Sequence, residues 1–242
     1  MALETFNTAY TATVEHIAAN ALWATIIAGA GNAVTTGLYA TVHCDGDANK
    51  YLRCQRAVFV FDTSSLSAGS EDAAVTLTGS LVDTYATTPA VELGLYAASP
   101  VDPESIAAGD YANCGSVLCS DTTITASAWK NSGHNMMPLN SFGLSQISTS
   151  GYTVFSLREV AYDIGATSPP WEADKRAGFE VEVAVSAHLR VNLADTVGAD
   201  RTLNEPIVTL QAMRQIEMQF GGQLSISKDG KYRYKSRTGY YT

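Results

Sequence analysis

The chain has 242 residues, 46% of them hydrophobic and 16% charged, which supplies apolar side chains for a sizeable core and excludes a disordered polymer. Its net charge of −9 is unevenly spread: Lys228, Lys231, Arg233, Lys235 and Arg237 stand against Asp229, so the last fifteen residues carry +4 and residues 1–227 carry −13. The acidic body excludes nucleic acid as the main partner, and the apolar stretch Ile17 to Ala30 is too short, at under roughly 20 residues, to insert in a membrane.

The first twelve residues lack the basic start and apolar core of a secretory signal, so the chain is expected to mature where it is made or to leave by a route other than cleavage of a signal. Phe6, Thr8, Tyr10, Ala12, Val14 and His16 alternate with smaller or polar residues, which predicts an extended N-terminal arm over residues 1–22. Ala18 to Ala30 fits a short helix or two strands, with Gly29-Ala30-Gly31-Asn32 as the stop. Arg56-Ala57-Val58-Phe59-Val60-Phe61 then carries large side chains on both faces of the pleat and reads as a central strand. The polar Asp62-Thr63-Ser64-Ser65 behind it has the chemistry of a chain reversal.

Ala74 to Val82 and Val91 to Tyr96 alternate in period two, with a Thr-rich turn between them, and are expected as neighbouring strands. Ser99 to Met137 is broken by Pro100, Pro103, Gly109, Gly115, Asn131 and Gly133 into a long loop, a place where function often resides. Strand character returns from Tyr152 to Asp163. From Phe179 to Leu193 the alternation predicts one long half-buried strand, bent or bulged, with Glu180, Glu182, His188 and Arg190 on its polar face. Ile207 to Leu210 closes a body spanning residues 23–212. Gln223 to Lys235 reads as a hairpin turning at Asp229-Gly230, within a C-terminal arm over residues 213–242. Together these elements predict an all-β chain, a jelly-roll-like antiparallel β-sandwich with N- and C-terminal arms.

Chemistry is sparser than fold. Glu180 and Glu182 share a strand face, but no second acid lies across a cleft from them, so a solvated face is the better reading. His16, His43, His134 and His188 are scattered, and Cys44, Cys54, Cys114 and Cys119 form no close pair, so free thiols and no bound metal or cofactor are expected. No nucleophile elbow or phosphate-cradling loop occurs. Tyr111, Trp129 and Trp171 fall in loop-rich stretches, where flat rings either stack on a sugar or cap the end of the core. Tyr232, Arg233, Tyr234, Lys235 and Arg237 mix aromatic and basic side chains, which points to a subunit interface.

Five stretches, taken in order, resemble the DNRLRE-type β-sandwich modules found in bacteriophage structural proteins. They are Trp23 to Gly31, Arg56 to Leu66, Leu95 to Pro100 with Asp110-Tyr111, Leu139 to Ile147 with Gly151 to Asp163, and Ala194 to Gly198 with Glu205 to Val208. The ordered set carries the likeness, which covers about residues 23–210 and stops before the C-terminal arm. It implies a jelly-roll-like sandwich used in surface assemblies or glycan adhesion, with no catalytic residues. The expectation that follows is a non-enzymatic virion protein of a tail, fibre or capsid decoration, self-associating and meeting other virion proteins and a host-surface glycan. The alternative is a carbohydrate-binding module for a cell-surface polysaccharide.

Overall fold

The structure, a computed structural model, describes residues 3–66, 70–83, 89–181, 187–193, 223–226, 232–236 and 239–241. The chain divides into two compact units, Met1–Asp195 and Thr196–Thr242. In the first unit the elements are β1 (Leu3–Ala21), α1 (Trp23–Ile27), β2 (Ala33–Thr35), β3 (Leu38–Cys44), β4 (Tyr51–Asp62), β5 (Ser70–Thr78), β6 (Ser80–Asp83), β7 (Glu92–Ala98), β8 (Cys114–Leu118), β9 (Ile124–Thr125), β10 (His134–Pro138), α2 (Ser141–Ser145), β11 (Tyr152–Glu159), β12 (Arg176–Val181) and β13 (Ala187–Leu193). A 3₁₀ turn covers Ala108–Tyr111 and a π turn covers Val160–Ile164.

All thirteen strands join in one continuous antiparallel sheet, whose main path runs β10-β5-β13-β1-β4-β11-β7-β8. The sheet curls around a single apolar core that includes Phe6, Val75 and Leu189 from one stretch and Val14, Phe59 and Leu157 from the other. The all-β class is therefore as expected. Residues 3–21, expected as an arm, instead form an interior strand: Leu3 to Asn7 pair with β13, and Thr8 onward pairs with β4. A register shift between Thr8 and Tyr10 marks the change of partner, as a β-bulge does where a strand must bend.

The strand containing Arg56 to Phe61 is as central as its composition suggests. β4 lies between β1 and β11 and also pairs with β3, and Val58 to Phe61 are at most 1% exposed. Its polar end works as a turn: Asp62 accepts from the backbone N–H of Ser64 at 3.0 Å, and Leu66 N–H donates to Thr63 at 3.0 Å. Helix α1 resolves the ambiguity after Ala18, and burial of Trp23 and Ile26 holds it in place, since Leu22 offers no side-chain cap.

Four expectations need correction. β5 and β7 are not neighbours: β5 pairs with β10 and β13, whereas β7 pairs with β11, β8 and β9. Alternation shows which residues share a face and is silent on which strand lies beside them. The stretch 74–82 also breaks at Gly79, whose carbonyl accepts the Trp129 indole N–H at 2.9 Å. Phe179 to Leu193 is two strands, with β12 bonded to β3 and β6 and β13 bonded to β1 and β5. Finally, the long loop contains β8, β9 and β10.

In the second unit β14 (Gln223–Ile226), β15 (Tyr232–Ser236) and β16 (Gly239–Tyr241) form a three-stranded antiparallel sheet. Ile226 pairs with Tyr232, which leaves an odd number of connecting residues where a two-residue turn at Asp229-Gly230 would leave an even one. β16 was not anticipated. The strand expected at Ile207 to Leu210 and the boundary at residue 213 lie outside the described residues.

Candidate functional site

Strand β4 carries polar residues on both faces, and the pleat sends them to different fates. On one face, register aligns Gln55 with Glu15 of β1, and Arg53 with His43 of β3, which is in turn opposite Arg176 of β12. Thr41 and Tyr39 follow His43 along the same side of β3. Of these, Glu15, Tyr39, His43, Arg53, Gln55 and Arg176, with Thr35 of β2, line a cavity of about 240 Å³, and Thr41 lies behind the wall as a hydrogen-bond partner of Gln55 and His43.

The cavity walls are linked by hydrogen bonds. Arg53 Nη1 donates to Glu15 Oε2 at 3.3 Å, and Gln55 Nε2 donates to the same oxygen at 2.9 Å. Thr41 Oγ1 donates to Gln55 Oε1 at 2.5 Å, and His43 Nε2 lies 3.1 Å from Thr41 Oγ1. Because the Thr41 proton is directed at Gln55, the imidazole donates from Nε2 and keeps Nδ1 as an acceptor. Burial, followed by the Arg53 and Arg176 charges, pushes His43 down to about 3, so the ring is neutral at physiological pH. The turn before β3 is pinned as well: Thr13 Oγ1 donates to Gly37 O at 2.7 Å and accepts from Tyr39 N–H at 2.8 Å. A Cβ at Gly37 would sit 2.2 Å from the Tyr39 ring, so only glycine lets that ring lie there.

On the opposite face of β4 lies a sealed charge cluster. Arg56 donates Nη2 to Asp163 Oδ1 at 2.7 Å and Nε to Oδ2 at 2.9 Å, and its Nη1 reaches the Tyr111 carbonyl at 2.6 Å. Arg158 of β11 donates Nε to Asp163 Oδ2 at 2.7 Å and Nη2 to Oδ1 at 2.8 Å, with Nη1 on the carbonyls of Cys114 and Gly115. All three charged residues are 5% exposed. Two cations against one carboxylate leave a buried excess of one positive charge. The three carbonyls and the Tyr111 ring, 3.6 Å from the Arg56 guanidinium, offset it. Burial raises the Asp163 pKa, but the hydrogen bonds and charges of Arg158 and Arg56 outweigh this and hold it below the usual carboxylate range.

The π turn presents Asp163 to both arginines, with Gly165 N–H bonding back to Val160 O at 2.8 Å. Glu159 caps that turn by accepting from the backbone N–H of Tyr162 and from that of Glu92, the latter at 3.2 Å. Burial pushes Glu159 up to about 7.

The rings expected to meet a sugar are elsewhere occupied. Tyr111 is fully buried under Arg56, so neither of its edges reaches solvent, and the glycan reading of this residue is corrected. Trp129 is 7% exposed, packs in the core and donates to Gly79. Trp171 is half-buried against the core and donates to the Asp45 carbonyl at 3.0 Å. All three close loops onto the body, which is the capping role weighed for them. The side chains of Tyr232, Arg233, Tyr234, Lys235 and Arg237, and those of Glu180 and Glu182, lie outside the described residues. His188 on β13 meets Asn7 at 2.7 Å, and the four cysteines are buried free thiols. Among the described residues no group of three His, Cys, Asp or Glu is placed to hold a metal ion, and no helix is long and apolar enough to cross a membrane.

Sequence reasoning missed the cavity. Its trace was there: Thr13 and Glu15, Tyr39, Thr41 and His43, and Arg53 and Gln55 are each spaced by two, which puts polar side chains on one face of three separate strands. Only the pairing of those strands turns three short signals into one site. Comparison with models of known protein families and with curated proteins finds no match for this chain.

Proposed function

We propose that the chain is a non-enzymatic structural protein of a phage or phage-like particle, a tail, fibre or capsid-decoration component that assembles through its C-terminal unit. The observation that carries this reading is the second compact unit, Thr196–Thr242, whose three short strands pair only with one another among the described residues, while the first unit has a core of its own. So small a sheet gains stability by packing on another surface, and the basic residues at its end suit the acidic body of a neighbouring copy. The ordered likeness to phage β-sandwich modules supports the same placement. The chemistry of the cavity fits binding better than turnover, because Glu15, the one carboxylate among its described lining residues, is already engaged by Arg53 and Gln55 and its imidazole is bonded to Thr41.

Sedimentation of the full chain and of a chain lacking Lys228 to Thr242 tests the reading. A defined oligomer that the deletion reduces to monomers is expected. A full chain that sediments as a monomer, with or without the deletion, would sink the proposal.

A second reading, recognition of a cell-surface polysaccharide, is favoured by the cavity itself. Hydroxyl, amide, imidazole and guanidinium groups line it, and these are the partners that sugar hydroxyls need. Retention on an array of neutral and acidic glycans tests it, and no retention on any of them removes it.

A further inference from the structure

Away from the cavity, one surface of the first unit combines exposed rings, an exposed apolar side chain and acids without cations. Register sets Tyr10 of β1 opposite Val60 and Tyr152 of β11 opposite Asp62, so both tyrosines share a sheet face at the polar end of β4. Their rings meet edge to face at 6.3 Å, and Tyr10 is 41% exposed. The Tyr152 hydroxyl donates to the Glu104 carboxylate, which ties the loop after β7 to β11. That loop is fixed at both ends by Asp110, which accepts from the backbone N–H of Val101 at 3.0 Å and from that of Ala107 at 2.9 Å. Val101 is 89% exposed, so with the two rings it gives this surface apolar area that a partner can cover. Asp62, Asp102 and Glu104 are exposed, and among the described residues none of them forms an ion pair. The bond to Glu104, then burial, then the charges of Glu104 and Asp62 push the Tyr152 pKa up to about 12.

We infer that this surface seats the C-terminal stretch Lys228 to Arg237 of a second copy, its basic side chains on Asp62, Asp102 and Glu104 and its tyrosines against Tyr10, Tyr152 and Val101. It rests on the assembly reading above and names the surface that receives the arm. Charge selects the partner: the stretch carries five Lys or Arg against Asp229, whereas the surface offers three carboxylates with no cation among the described residues. Composition matches as well. Arg233 and Lys235 take positions of one parity on β15, opposite Ser225 and Gln223, and Tyr232 and Tyr234 take the other parity. Guanidinium and ammonium groups are attracted by tyrosine faces as well as by carboxylates. Exposed ion pairs contribute little singly, so several act together with the covered apolar area, and the contact weakens as salt rises. The loop is held before the partner arrives, which lowers the ordering cost of association.

Sedimentation of charge-swapped full chains tests it. Asp102→Lys together with Glu104→Lys should weaken self-association at least about tenfold while the unfolding transition stays cooperative, because both side chains are exposed. Arg233→Glu together with Lys235→Glu should weaken it likewise, and a chain carrying all four substitutions should associate again, since the reversed surfaces then match. Should the pair at 102 and 104 disturb folding, Val101→Ser alters one exposed side chain and is expected to weaken association several-fold. An oligomer unchanged by a folded chain with the 102 and 104 reversals, or by Val101→Ser, overturns the inference. So does a four-substitution chain that stays dissociated, or association equally tight across about 0.05 to 0.5 M salt. An oligomer that falls to deletion of Lys228 to Thr242 but ignores the reversals at 102 and 104 leaves the assembly reading standing and removes this seat. A full chain that sediments as a monomer removes both. A monomer in which that deletion raises hydrogen exchange at Val101 and Tyr152 gives the surface to the arm of the same copy, which also overturns the inference.

Discussion

Two polar networks lie back to back on β4, and they differ in what their arginines have left to give. On the core face, Arg56 and Arg158 direct their donors to Asp163 and to three backbone carbonyls, and both are buried. On the cavity face, Arg53 makes one contact to Glu15 and its side chain stays about one-third exposed. The same residue type thus serves cohesion where its fork is saturated and lines a cavity where its fork is partly open. The difference comes from the pleat, which sends Arg53 and Arg56 to opposite sides of one strand.

The sharpest way to break that contrast is Asp163→Asn. It leaves two buried guanidinium groups uncompensated and should cost about 3–5 kcal/mol or prevent folding, read from denaturant unfolding. A loss below about 1 kcal/mol would mean that the core network is not cohesive. Next in size is a pH effect with opposite signs at neighbouring residues. The folded chain holds the Glu159 proton more tightly than its ordinary value of 4.5 requires, with a pKa near 7. Its contribution to stability is therefore complete below the ordinary value and lost as pH rises through about 7, up to about 3 kcal/mol. Asp163, held below its ordinary value of 3.8, contributes above that value and loses its contribution as pH falls further. Glu159→Gln should flatten the decline between pH 4.5 and 7 and leave the acid limb intact; an unchanged profile would refute the assignment.

Arg158→Met is expected to cost about 2 kcal/mol, less than loss of the shared acid, because the bonds it removes from Asp163 and from the Cys114 and Gly115 carbonyls leave Asp163 still paired with Arg56 and no buried cation uncompensated. The smallest effect belongs to the cavity face. Glu15→Gln keeps an acceptor for Gln55 and should change stability by less than about 1 kcal/mol, since its partner Arg53 is solvent-screened. A loss there as large as that from Asp163→Asn would erase the distinction between the two faces.

Much of this framework was legible in the residues. The unbroken apolar run before Asp62 announced a central strand, and Asp62 with Ser64 announced the turn, because both depend on local chemistry. Ala187, Leu189, Val191 and Leu193 are buried as their spacing implied. What was hidden depends on pairing between distant strands. Arg56 looked like the polar edge of an apolar run; its burial follows from Arg158 and Asp163, which lie a hundred residues on. Tyr111 looked like a loop aromatic offered to solvent, yet it covers Arg56. Gly31, read as a helix stop, has φ +83°, and a Cβ there would meet the Ala108 carbonyl at 2.1 Å, so it also lets the turn bearing Tyr111 close in.

The place of β1 between β4 and β13 has a consequence for how the protein is made. The pairing of Leu3 with Asn192 joins nearly the first described residue to one of the last strands of its unit. Local turns cannot form that contact early, and the entropy of closing so long a loop falls on a late step of folding. On the ribosome, the start of β1 waits with one flank unpaired until Ala187 to Leu193 emerge, while β5 waits for the same strand. A nascent or truncated chain ending before Ala187 presents two open strand edges, and those edges are the natural starting points for misassembly between copies.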